Sequence, residues 1–141
     1  MDDDPDSVLA SLAHAARVRR AVEAELRPHG ISFALWRVLY VTSKLSQRAR
    51  DAVSQHEVAL ATDLDKSTVS GLMGVLLQRG LVDCGPDGLT WSYRIWPTKT
   101  GTALLEATKT APTRGLARAR AIPWDPSIAL AHCLAKSEID V

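Results

Sequence analysis

The sequence predicts a mainly α-helical fold with one small β-hairpin, a winged helix-turn-helix flanked by helices at both ends. Three observations predict it. Two short segments, each opened by its own helix-start signal, are separated by the three-residue turn Thr62-Asp63-Leu64. A strand-like segment, Leu81 to Cys84, follows the second one directly. Then Leu89-Thr90-Trp91-Ser92-Tyr93-Arg94-Ile95 alternates apolar and polar side chains, the period of a strand with one buried face.

The flanking elements follow in order. Asp4-Pro5 suits an N-cap followed by proline at the first helical position. Val8, Leu12, Ala15, Ala16, Val22 and Leu26 then give a helical stripe to about Arg27, and Pro28-His29-Gly30 ends it. Ser32 caps a second helix in which Ile31 and Trp36 hold the spacing of a hydrophobic staple and Leu35, Val38 and Leu39 face the core. Lys44 to Asp51 is polar and charged, and reads as a loop or a frayed extension.

The central segment carries the strongest local signals. Ser54-Gln55-His56-Glu57 is a capping box with Val53 and Val58 at staple positions, opening a helix to about Ala61. Asp65 caps the next helix, stapled by Leu64 and Val69, and Val69, Leu72, Met73 and Leu76 recur at core spacing. Gly80 supplies a left-handed stop with Leu81 placed to touch Leu76. Two short helices about a three-residue turn form a helix-turn-helix. Gly85-Pro86-Asp87-Gly88 is the turn of the hairpin behind it. Thr98 caps a further helix through Leu104 and Leu105, which ends near Thr110 or kinks at Pro112. Pro123-Trp124-Asp125-Pro126 makes a rigid corner, and Ser127 to Lys136 a last short helix.

Composition narrows the function. At 141 residues, with 46% hydrophobic and 23% charged side chains, the chain suits one globular domain, 1–141. No run approaches the roughly 18 apolar residues that span a bilayer. The acidic start Met1-Asp2-Asp3-Asp4-Pro5-Asp6 has no apolar core, so the expected location is the cytoplasm, with no membrane partner. Cys84 and Cys133 belong to no Cys-x-x-Cys pair, and the four histidines lack ligand spacing, so no metal or other cofactor is expected. No glycine-rich phosphate loop, nucleophile motif or spaced carboxylate pair is present, which argues against an enzyme. The net charge of +1 argues against a generic polyanion binder. The clusters Arg17, Arg19, Arg20, Arg27 and Arg114, Arg118, Arg120 read as solvated helix faces.

With Val69, Leu72, Met73 and Leu76 inward, the outer face of the second central helix is Ser67, Gly71, Gly74 and Gln78, flanked by Thr68, Ser70 and Val75. Hydroxyls and an amide bond to phosphates and base edges, Lys66 adds a charge, and a helix N-terminus favours phosphate. Each interior glycine costs about 1 kcal/mol relative to alanine. Close approach to DNA, close approach to a protein partner, and simple tolerance all account for Gly71 and Gly74.

The order of elements resembles the multiple-antibiotic-resistance regulator (MarR) family. The matching residues are Leu35-Trp36-Arg37-Val38-Leu39, Ser54-x-x-Glu57-Val58-Ala59, Leu64-Asp65-Lys66-Ser67-Thr68-Val69-Ser70, Arg79-Gly80-Leu81-Val82 and Thr98-Lys99-Thr100-Gly101. The resemblance implies a transcriptional regulator, a repressor by expectation, with a winged helix-turn-helix over 31–98. It implies a homodimer built from helices in 1–30 and 99–141 that binds pseudo-palindromic double-stranded DNA and is often released by a small, frequently aromatic ligand. The expected DNA-binding residues are Ser54, Gln55, Lys66, Ser67, Thr68, Ser70, Gly71, Gly74, Gln78 and Arg94. Phosphate contacts would come from Lys66, Ser67, Thr68 and Ser70, with Arg48, Arg50 and Arg94. The family's wing carries an acidic-x-Arg element near its tip, where this chain has Asp87-Gly88-Leu89-Thr90-Trp91. The candidate ligand walls are His14, Arg17, Trp36 and Tyr40, although by itself Trp36 reads as core and His14 as surface. A winged-helix module that docks a protein through the same small-residue face is the alternative.

Overall fold

A computed structural model of the chain describes residues 4–49, 53–86 and 93–121 together with Ser127 and Leu134. Its helices are α1 (Pro5–Leu26), α2 (Phe33–Ala49), α3 (Gln55–Thr62), α4 (Lys66–Gln78), α5 (Lys99–Ala107) and α6 (Ala111–Arg120), and its strands β1 (Val82–Pro86) and β2 (Tyr93–Pro97). A single 3₁₀ turn, Arg27–His29, follows α1 and closes on Gly30 at φ 71°. The described residues form two compact units: Leu26–Thr110, and the segments up to Glu25 and from Ala111 onward.

The central unit is a winged helix, and its ends are set by short-range bonds. Ser54 accepts from the Glu57 backbone N–H at 3.2 Å, Asp65 from that of Thr68 at 2.7 Å, and Thr98 from that of Gly101 at 3.1 Å. Asp63 adopts the left-handed conformation in the turn between α3 and α4. Gly80 (φ 70°) ends α4, where the Leu81 N–H bonds the Leu76 carbonyl and the Gly80 N–H that of Leu77, the paired bonds of a Schellman closure. The core gathers Val38 and Leu39 of α2, Val58 of α3, Val69, Met73 and Leu76 of α4, and Ile95 of β2. Each is essentially buried, and together they hold the helix-turn-helix on α2.

Two segments differ from the sequence expectation. Residues 44–49, expected as loop or frayed extension, continue α2 to Ala49. Within this segment Gln47 Nε2 donates to the Ser43 hydroxyl one turn back at 3.4 Å, and just before it the buried Thr42 hydroxyl donates to the Val38 carbonyl at 2.7 Å. Lys44, Gln47 and Arg48 then face water. In the wing, β1 extends through Gly85 and Pro86, expected as turn residues, and β2 continues past Ile95 to Pro97. The antiparallel register pairs Val82 with Pro97, Asp83 with Trp96 and Cys84 with Ile95. The Trp96 ring lies over Gly85, where a β-carbon would stand 3.0 Å from Cη2. Residues 87–92, which hold the predicted turn tip and the start of the second predicted strand, lie outside the described residues.

Several contacts tie the wing to the helices. Val53 exchanges backbone bonds with Ile95, at 2.9 and 2.8 Å, adding a one-residue bridge to the ribbon. At the wing's exit the Thr98 hydroxyl donates to the Gly80 carbonyl at 2.6 Å, and the Thr98 N–H to the Leu81 carbonyl at 3.1 Å. Gly101, one turn into α5, packs so closely that a β-carbon would overlap the Leu81 carbonyl.

The other unit contains most of α1 and α6. Ala111, Gly115 and Ala119 recur every fourth residue on the buried side of α6. A β-carbon on Gly115 would lie 2.7 Å from the Val22 nitrogen and 2.9 Å from its Cα, so only glycine admits this approach. Arg118 Nη2 donates to Glu25 Oε1 at 2.6 Å beside it. Pro112 sits in the first turn of α6, where its missing N–H is not needed, so the α5 segment ends before the proline and a new helix begins. Val22 of the predicted α1 stripe is buried, but Val8, Leu9 and Leu12 are 51%, 53% and 63% exposed. The predicted corner 123–126 and most of the predicted last helix fall outside the described residues; Ser127 and Leu134 have helical backbone. No helix among the described residues is long and apolar enough to cross a membrane.

Candidate nucleic-acid interface

Helix α4 has two unlike faces. Val69, Met73 and Leu76 are buried and Leu72 is half-buried, while Ser67, Thr68, Ser70, Gly71, Gly74, Val75 and Gln78 are exposed, with Lys66 exposed at the first position. A β-carbon at Gly71 or Gly74 would meet no atom within 4 Å. Packing among the described residues therefore explains neither glycine, although each weakens the helix by about 1 kcal/mol. The result is a low, open surface along the outside of a helix in the second position of a helix-turn-helix.

The start of this helix is organised by Asp65. Its Oδ1 accepts from the Thr68 N–H at 2.7 Å and from the Ser67 hydroxyl at 2.8 Å, and its Oδ2 from the Thr68 hydroxyl at 2.9 Å. The Thr68 N–H, then the two hydroxyls, hold the carboxyl below the ordinary aspartate value of 3.8. The hydroxyls of Ser67 and Thr68, expected as phosphate donors, thus give their protons to a carboxylate inside the protein. The sequence identified Asp65 as a cap, and its reach to both hydroxyls follows from a spacing of two and three residues.

The remaining expected residues distribute over α2, α3 and β2. Gln55 is exposed in the first turn of α3, and Ser54 is half-buried as its cap. Arg94, on β2, places Nη1 3.5 Å from Glu57 Oε1 on α3. This pairing joins residues 37 positions apart and has no sequence signal. Arg48 is exposed near the end of α2, and Arg50 lies outside the described residues.

The candidate ligand residues fall in different units. His14 and Arg17 are half-buried on α1. Trp36 is buried on α2, its indole N–H donating to the Thr108 hydroxyl at 3.1 Å, and its ring stacks on that of Tyr40 with centroids 5.0 Å apart. Sequence reasoning missed the companions of this pair: Phe33 also stacks with Trp36, centroids 6.3 Å apart, Arg37 lies over the Phe33 ring and Lys44 over the Tyr40 ring. The spacing of 33, 36, 37, 40 and 44 along one helix was the available signal. Arg37 Nε is buried with no hydrogen-bond partner among the described residues.

Comparison with known proteins agrees with this architecture. The sequence profile of the MarR family matches residues 29–88. No curated protein matches the chain. A MarR family transcriptional regulator from Rhodococcus sp. RHA1 superposes with a TM-score of 0.71 at 24% identity, over 97% of this chain and 95% of that one. CouR from Rhodococcus jostii RHA1, bound to p-coumaroyl-CoA, gives 0.67 at 24% identity over 96% and 90%. A Mycobacterium tuberculosis MarR family protein in complex with p-aminosalicylic acid gives 0.64 at 17% identity over 98% and 99%. At these identities the structures establish a shared fold, and the profile match adds the sequence evidence. The chain thus has the fold of these regulators, and its residues 29–88 match the sequence profile of the MarR family.

Proposed function

We propose that the protein is a non-enzymatic transcriptional regulator, acting as a homodimeric, cytoplasmic repressor on pseudo-palindromic duplex DNA with α4 in the major groove. The observation that carries this reading is the α4 outer face. Ser67, Ser70, Gly71, Gly74 and Gln78 are all exposed, and both glycines are unexplained by packing among the described residues. A helix with small side chains on its outer face seats deeply in a groove about 12 Å wide. The MarR profile match supports the same placement. Val8, Leu9 and Leu12 supply an apolar helix face that a second copy would cover, which supports the homodimer.

Phosphate contacts then rest on Lys66, Ser70 and Arg48, with Arg94 shared with Glu57. Few cations imply weak salt dependence, well short of the slope of ten phosphates. Selection from a random duplex library at two salt concentrations tests the proposal. Enrichment of a palindrome is expected, and Lys66→Ala combined with Arg94→Ala should weaken binding across sequences and flatten the salt slope. Failure to enrich any duplex refutes DNA binding and leaves the protein-docking module.

A small aromatic ligand is the proposed effector. Two proteins sharing the fold hold p-coumaroyl-CoA and p-aminosalicylic acid. Here Tyr40 is 40% exposed and stacked on Trp36, with Lys44 above it and the unfilled Nε donor of Arg37 on the same helix. An aromatic face beside cations suits an aromatic carboxylate. His14 and Arg17 belong to the same proposal as candidates on α1. Titration with aromatic acids, followed by Trp fluorescence, should saturate in the native protein and weaken in Tyr40→Ala.

A further inference from the structure

The bonds at the start of α4 fix which way its hydroxyls point, and hydroxyl direction decides what they recognise. An ionised carboxylate accepts hydrogen bonds and offers none. In the Asp65 cluster, therefore, the hydroxyls of Ser67 and Thr68 are the donors, at 2.8 and 2.9 Å. Both residues are exposed, so what their oxygens present outward is lone pairs. A phosphate oxygen also brings only lone pairs, so these two hydroxyls are poor phosphate ligands while Asp65 holds them. The major-groove edge of a base pair offers two kinds of donor, the N4 amino group of cytosine and the N6 amino group of adenine. Guanine and thymine present acceptors on that edge.

We infer that Ser67 and Thr68 determine specificity as hydrogen-bond acceptors, selecting cytosine or adenine where they meet the duplex and rejecting guanine and thymine there. The inference rests on the proposed DNA-binding function and deepens it. Asp65 is the positioning residue: it touches no base, and acts by taking both hydroxyl protons. Its negative charge adds a second effect, since it disfavours phosphate approach at the helix N-terminus that would otherwise attract one.

The test uses the full-length protein and the palindrome selected from a random duplex library. Wild type should fix cytosine or adenine at one or two positions in each half-site that Ser67→Ala or Thr68→Val relaxes. Deleting the amino group there, with 2-pyrimidinone for cytosine or purine for adenine, should weaken wild-type binding about three- to tenfold, the worth of one hydrogen bond. Asp65→Asn keeps a capping oxygen, and Asn caps as well as Asp. Its amide N–H₂, at the Oδ2 position, donates to the Thr68 hydroxyl, which then turns its proton outward, while Ser67 still donates to the capping oxygen. The variant should lose the amino-deletion penalty and shift its selection toward guanine or thymine at the Thr68-sensitive position, and keep the penalty at the Ser67-sensitive one. Equal penalties in wild type and Asp65→Asn at a Thr68-sensitive position, or wild-type selection of guanine or thymine at positions sensitive to Ser67 and Thr68, would overturn the inference while leaving DNA binding intact. Absence of any selected palindrome overturns the DNA-binding proposal itself.

Discussion

Replacing Gly101 by alanine should destabilise the winged helix by about 2–4 kcal/mol, although alanine is the better helix former. A β-carbon there would overlap the Leu81 carbonyl oxygen, with the carbonyl carbon at 3.0 Å and Leu39 Cδ1 at 3.4 Å. The obstacle is backbone, so no rotamer change relieves it. Relief requires α5 to move away from the wing's base, stretching the Thr98 bonds to the Gly80 and Leu81 carbonyls. Those two bonds contribute about 1 kcal/mol each. Overpacking a well-filled site adds about 1–3 kcal/mol. Better helix propensity returns about 1 kcal/mol, which leaves the stated loss. With an m-value of about 2 kcal/mol/M, the urea midpoint should fall by about 1–2 M, measured by far-UV circular dichroism at fixed protein concentration. Gly71→Ala is the matched control: its β-carbon meets open space, so the midpoint should rise by up to about 0.5 M. A midpoint for Gly101→Ala at or above that of the native protein would refute the steric argument.

Two further outcomes follow from particular bonds. Thr108→Val preserves shape but leaves the buried indole N–H of Trp36 without its acceptor, and should cost about 1–3 kcal/mol in the same urea titration. Asp65 is held below its unfolded value of 3.8, so its contribution is present above that value and lost as pH falls through the folded-state value. Asp65→Asn should therefore show a shallower acid decline in thermal midpoint than the native protein below roughly pH 5, and an identical decline would remove the cluster's role.

Much of the fold was legible because its signals act over three or four residues. Ser54, Asp65 and Thr98 cap helices at the positions their side-chain chemistry indicates, and Gly80 ends α4 for the same local reason. The end of α2 was not legible, since Lys44, Gln47 and Arg48 are polar in sequence yet stay helical with their side chains in water. The wing's register brings Trp96 over Gly85, a contact across the ribbon. For the site, the helical wheel separated exposed from buried residues on α4. It could not show that Glu57 engages Arg94, because that pair forms only once α3 and β2 are folded together. The close approaches at Gly101 and Gly115 were equally hidden: a glycine in a helix announces a weakness, and only its neighbours give the reason.

Under the proposed DNA-binding function, the bridge between Val53 and Ile95 would set how a duplex is accommodated. A two-stranded ribbon by itself is marginal and free to swing. Here the residue just ahead of the α3 cap is laced to the middle of β2 by two backbone bonds, so the base of the wing and the helix-turn-helix turn as one body. Such a body offers its groove-facing parts at a set distance and angle. A duplex of mismatched width or curvature would have to deform to meet it, and the stiffness of the intervening base steps would then enter the selection. Sequence preference would extend to bases that no side chain touches.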